Sequence, residues 1–231
     1  MTGISGSSAP LPRVGVFGGS FNPIHFGHLL LADALAEAVS LDRVLFVPAA
    51  RPPHKPAGEL AAAEHRLAMT RLAVAGHPRF EVSDVELARE GPSYTIDTLR
   101  ALAPRGQLHL LIGSETFLDL LSWREPASIA HRARLVVVPR SGSDFDPTSP
   151  GALKILQELE LPDFVRPAPG PLAPEAAPIP AAAAPILVEA PSLPISASDL
   201  RQRARSGRSL AFRLPEAVVA YIRAHHLYGC G

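Results

Sequence analysis

Short apolar runs alternate along the chain with longer stretches whose apolar positions return every three or four residues. The runs at 13–17, 44–47, 108–112 and 134–138 read as strands buried on both faces, and 29–39, 64–75, 117–121 and 151–159 read as helices. Such alternation implies an α/β fold, a parallel sheet wrapped by helices on both faces. Ligands of these sheets gather beyond the carboxyl ends of the strands, where Gly18, Pro48, Gly113 and Pro139 fall. The stretch 166–185 breaks the pattern with seven prolines and many alanines. It reads as a surface loop or partly disordered insert, and it places the segment after it at the edge of the sheet.

A chain of 231 residues is ample for one domain, expected over 13–231, with a ragged Ser-, Gly- and Pro-rich tail at 1–12 that has no features of a signal peptide. Formal net charge is zero, so no whole-molecule field attracts nucleic acid or an anionic membrane. Any anion must be held by local groups. Cys230 is the only cysteine, which excludes an internal disulfide and fits a cytoplasmic protein. No stretch is long and apolar enough to span a bilayer, and nothing in the sequence sets an oligomeric state.

Candidate chemistry sits in two blocks. The first, Gly18-Gly19-Ser20-Phe21-Asn22-Pro23-Ile24-His25-Phe26-Gly27-His28, joins a strand to a helix. Its glycines let backbone approach a ligand, and amides at the helix start favour phosphate. Its spacing matches neither G-x-G-x-x-G nor G-x-x-x-x-G-K-[ST]. The paired histidines can donate to phosphate oxygens and, if protonated, offset charge on a leaving pyrophosphate. Helix capping is the plainer reading of them; a metal pair is a third, with neither a further ligand at zinc spacing nor an H-E-x-x-H pattern to support it. The second block, Ile195-Ser196-Ala197-Ser198-Asp199-Leu200-Arg201, offers helix-start residues at Ser198 and Asp199 and a guanidinium in the first turn. That is a nest for β and γ phosphates, or else a capped, solvated helix.

Residues 18–28 resemble the H-x-G-H block of the nucleotidyltransferase superfamily. Pro52-Pro53-His54-Lys55, Tyr94-Thr95-Ile96-Asp97-Thr98-Leu99, Gly113-Ser114-Glu115-Thr116-Phe117, Trp123 and the second block are similar, in order, to those of bacterial nicotinate-nucleotide adenylyltransferases. The resemblance implies a Rossmann-like sheet with a small helical C-terminal extension. It implies that His25, His28 and Arg201 are catalytic, and that Gly18, Gly19, Ser20, Phe21, Gly27, Gly113, Ile195, Ser196 and Ser198 bind ATP. It implies further that His54, Lys55, Tyr94, Thr95, Glu115 and Trp123 bind the acceptor, with the indole stacked on the pyridine ring and the turn at Tyr94 and Thr95 presenting amides to its carboxylate. The family generally has aspartate at the Glu115 position and threonine at the Ser198 position.

The implied reaction moves AMP from ATP to nicotinate mononucleotide, in a step of NAD synthesis. Mg²⁺ is expected to arrive with ATP and no protein metal site is expected; the partners are these two small molecules, with neither nucleic acid nor membrane. The alternatives are a sister enzyme acting on nicotinamide mononucleotide or phosphopantetheine, and a nucleotide sensor without catalysis.

Overall fold

The computed structural model of the protein describes residues 11–53, 60–139, 144–167 and 183–230. His54, Lys55, most of the expected tail and most of the proline-rich stretch lie outside the described residues. The elements run β1 (Arg13–Gly19), α1 (Phe26–Ala38), β2 (Arg43–Pro48), α2 (Ala63–Val74), β3 (Phe80–Val82), α3 (Thr95–Leu102), β4 (Gln107–Gly113) and α4 (Ser114–Leu118). There follow α5 (Pro126–Arg132), β5 (Arg134–Val138), α6 (Pro150–Glu158), β6 (Ile186–Leu187), α7 (Ala197–Arg205) and α8 (Glu216–Ala224).

All six strands are parallel, in the order β3-β2-β1-β4-β5-β6. Strand order reverses between β1 and β4, and the crevice beyond their carboxyl ends is where a doubly wound sheet takes ligands. This is the Rossmann-like arrangement expected. Successive side chains of each strand enter opposite layers. Val44, Phe46, Leu111, Val136 and Val138 pack with Ala32, Leu35, Leu200 and Ile222 on one face. Leu45, Val47, Leu110, Leu135 and Val137 pack with Leu99, Ile129 and Ile155 on the other.

Several boundaries differ from the sequence reading. Helix α1 begins at Phe26 because His25 is its N-cap, and the helix expected at 117–121 is α4 followed by a 3-10 turn at Leu120–Ser122. Strands β3 and β6 hold three and two residues, too short to stand out as apolar runs. The ends of the proline-rich stretch are stitched to the sheet: Val165 N–H donates to the Pro185 carbonyl at 2.9 Å and Leu187 N–H to the Val165 carbonyl at 2.8 Å. Helix α7 is not at the sheet edge, as expected, but returns over the face that carries α1, where Leu200 shares a core with Phe21 and Ile24. The physical reason is burial: the apolar side of α7 is covered only there.

The amino end of the sheet is set by Gly106, whose φ of 141° turns the chain so that Gln107 N–H reaches the Pro12 carbonyl at 2.8 Å. A Cβ at Gly106 would collide with that same carbonyl oxygen. Gly106→Ala is expected to lower unfolding free energy by about 3 kcal/mol, read from the urea midpoint; an unchanged midpoint would refute the constraint.

Candidate active site

Beyond β1 the chain turns through Phe21, which is buried in a left-handed conformation with φ 41°, and reaches α1 at His25. The His25 and His28 rings stack with centroids 3.7 Å apart, and Phe21 meets the His28 ring edge-on at 5.2 Å. His28 Nδ1 accepts the His25 backbone N–H at 3.2 Å, which assigns the proton of a neutral His28 ring to Nε2. His25 Nδ1 is buried without a partner among the described residues. Burial pushes His25 down to about 4; burial, and then the neighbouring His25, push His28 down to about 3. At neutral pH both rings are therefore uncharged donors, and the capping and ligand-facing readings of the pair are compatible. The helix start offers fewer open amides than expected, because Phe26 N–H donates to the Arg213 carbonyl at 3.1 Å and His28 N–H to the His25 carbonyl at 2.9 Å.

Gly27 is a packing requirement. A Cβ there would come within 3.0 Å of His25 Nδ1 and 3.8 Å of the Ile195 carbonyl oxygen, so the two sequence blocks touch here. They also touch through Arg201, whose Nη1 donates to the Asn22 carbonyl at 2.9 Å and Nη2 to Ser198 Oγ at 3.2 Å. The N-cap of α7 is Ser196, accepting Asp199 N–H at 3.1 Å, and not Ser198 or Asp199. With the cap two positions before it, Ser198 is left to accept from Arg201.

A cavity of about 470 Å³ opens beyond β1 and β4. Gly18, Gly19, Ser20 and Gly113 line it together with Tyr94, Thr95 and Trp123, so residues expected on the ATP side and on the acceptor side share one wall. His25, Gly27, His28, Ile195, Ser196, Ser198, Arg201 and Glu115 do not line it. The histidines and the second block form a separate corner at the head of α1. Trp123 follows the 3-10 turn, its N–H bonded to the Leu120 carbonyl at 3.0 Å. Tyr94 is the N-cap of α3, and Glu115 is exposed in the first turn of α4.

Sequence reasoning missed the residues that hold this corner together. Arg66, 1% exposed, donates from Nε to the Ala61 carbonyl at 2.9 Å, from Nη1 to the Ser20 carbonyl at 2.8 Å and from Nη2 to the Ala50 carbonyl at 3.3 Å. Asn22 Oδ1 accepts from Ala61 N–H at 3.1 Å and from Tyr228 Oη at 2.8 Å. Burial pushes the Tyr228 phenol up, keeping it a donor. The available signal was a charged residue on the apolar side of a helix, next to Leu67, Met69 and Thr70. Under α3, Glu86 Oε1 accepts from Thr98 Oγ1, and Arg89 Nη2 donates to Thr98 Oγ1 and to the Tyr94 carbonyl, both at 3.1 Å.

The paired histidines at the head of α1 and the cavity of about 470 Å³ lie at the carboxyl ends of β1 and β4, where doubly wound sheets take ligands. The sequence profile of the cytidylyltransferase-like family matches residues 16–203, and the chain belongs to that family. Within it, the chain is 45% identical over 224 residues to a probable nicotinate-nucleotide adenylyltransferase of Roseiflexus sp. (strain RS-1), covering 96% of this chain and 99% of that one. It is 43% identical to a probable nicotinate-nucleotide adenylyltransferase of Thermus thermophilus, over 94% and 99% of the two chains. The fold is also that of the Plasmodium falciparum nicotinic acid mononucleotide adenylyltransferase solved in complex with NaAD, with TM-score 0.67, 18% identity and coverage of 95% and 98%. The chain is thus a member of the nicotinate-nucleotide adenylyltransferases.

The depressed histidines set a pH dependence. Their folded values lie below the ordinary 6.5, so the unfolded chain takes up protons first as pH falls, and stability present above pH 6.5 is lost toward pH 4. Each histidine is expected to cost roughly 2 kcal/mol between pH 7 and pH 5. Urea unfolding at both pH values should show His28→Gln losing markedly less than the wild type; equal losses would mean the rings titrate normally.

Proposed function

We infer that this protein transfers AMP from ATP to nicotinate mononucleotide, releasing pyrophosphate and forming nicotinate adenine dinucleotide. The carrying observation is the Arg201–Asn22 contact at 2.9 Å, which brings the guanidinium of α7 to the loop that ends at His25, one turn before His28, next to a cavity lined by Trp123 and the start of α3. In this reading the acceptor fills the cavity, and the triphosphate of ATP lies across the histidine corner. A phosphate oxygen of the acceptor forms a bond to the α phosphorus as the bond to the β-phosphate oxygen breaks. The attacking oxygen is already ionised near neutral pH, so no general base is required and the protein contributes alignment and charge stabilisation.

The neutral histidines act as hydrogen-bond donors, with Nε2–H of His28 facing the phosphates, and Arg201 supplies a permanent positive charge. Two of its five N–H groups are engaged in the contacts above, and among the described residues the other three remain for phosphate oxygens. Ser196 and Ser198 flank the same phosphates, and the indole of Trp123 stacks on the pyridine ring. Mg²⁺ enters as part of the nucleotide substrate, held by phosphates and water. Among the described residues no group of three His, Cys, Asp or Glu side chains is placed to hold a metal ion. No helix among them is long and apolar enough to cross a membrane.

Pyrophosphate release from Mg-ATP with nicotinate mononucleotide tests the reading directly, and none with that acceptor would end it. His28→Ala and Arg201→Ala are each expected to lower kcat by about a hundredfold while circular dichroism stays that of the wild type. Near-normal turnover in either would remove that residue from the chemistry. Trp123→Ala is expected to raise KM for the mononucleotide severalfold with little change for ATP; the opposite pattern would overturn the stacking assignment.

A further inference from the structure

Arg124 follows Trp123 directly and lines the same cavity. Its guanidinium carbon lies 4.8 Å from the centroid of the Tyr94 ring, a cation–π seat that holds the side chain at the start of α3. Among the described residues its one ion-pair contact is Nε to Glu125 Oε1 at 3.8 Å. Glu125 is already committed elsewhere, since Arg100 meets Oε1 at 3.3 Å and Oε2 at 2.6 Å. The Arg124 side chain, 54% exposed, rests over the Tyr94 ring, and among the described residues its Nη groups are not spent on a carboxylate. Among the described residues of the cavity wall the one carboxylate, Glu86, is bonded to Thr98 and faces Arg89 at 3.9 Å. With that pair balanced, Arg124 is the one unbalanced cation among the described residues of the wall, drawn on only by the long contact to Glu125, and it stands beside the amino end of α3.

On the basis of the function inferred above, we propose that Arg124 selects a pyridine nucleotide bearing a carboxylate over one bearing an amide. The planar fork matches a carboxylate with two parallel hydrogen bonds, and a neutral carboxamide offers one acceptor and no charge. Tyr94 positions the fork and the α3 amides complete the far side. No proton moves in this role; Arg124 acts in binding and leaves the phosphoryl chemistry untouched.

The test pairs turnover with calorimetric titration of nicotinate mononucleotide and nicotinamide mononucleotide onto wild type, Arg124→Gln and Arg124→Lys. Arg124→Gln should weaken binding of the acid and raise its KM by about tenfold, with kcat, the KM for ATP and the affinity for the amide near wild type. Arg124→Lys, a point charge without the fork, should fall between. Equal weakening of both acceptors, or of neither, overturns the proposal, as does a wild type that binds the amide as well as the acid. Selective binding of the acid that depends on Arg124, without pyrophosphate release, would instead overturn the function and leave the selectivity of Arg124 standing.

Discussion

The site depends on a short loop between β1 and α1 that is pinned from distant parts of the chain. Asn22 gathers Ala61, Arg201 and Tyr228, which lie 39, 179 and 206 positions away in sequence, through its side-chain and backbone oxygens. Arg66 adds a buried charge whose three carbonyl contacts reach Ser20, Ala50 and Ala61. A buried guanidinium is costly unless its donors are used, and hydrogen bonds to a charged group are worth about twice those between neutral groups. The same bonds therefore offset its desolvation and hold the loops beyond β1 and β2 in one geometry. Removing either residue would loosen the histidine corner without touching a histidine.

That pinning explains a division of electrostatic labour. His28 is pressed against Phe17 and Phe21 and stacks on His25, and such packing disfavours the charged imidazole. A permanent charge has to come from a group that burial does not neutralise. Arginine meets that requirement, and Arg201 sits partly exposed where α7 meets the loop. In the proposed reaction, orientation therefore falls to neutral rings held by packing and charge to a guanidinium held by hydrogen bonds.

The parallel strands β1, β2, β4 and β5 were legible because burial on both faces leaves continuous apolar runs, and the histidine block was legible because its residues are contiguous. Strands β3 and β6 were not, since two or three residues carry no periodic signal. The expectation that α7 sits at the sheet edge failed for a related reason: sequence order put it after the edge strand, but Leu200 and Ala204 find their core on the α1 face. Asn22, Arg66 and Tyr228 escaped notice because each acts through a partner far away in sequence. Arg124 was passed over beside Trp123 because an arginine after an aromatic reads as solvated until its neighbour Glu125 is seen to be occupied by Arg100.

The spacing of H-x-G-H joins these constraints. His25 caps α1 and His28 stands one turn later on the same side, so the rings stack, and the backbone of the first is bonded to the ring of the second. The residue between them that faces inward must lack a Cβ, because the His25 ring occupies that space and the Ile195 carbonyl lies just beyond. A longer side chain at Gly27 would push the ring out of the stack and the second block off the loop together. Helix capping, aromatic packing and a His28 proton on Nε2 are therefore one geometric solution, and the plain structural reading of these histidines is compatible with the chemical one proposed.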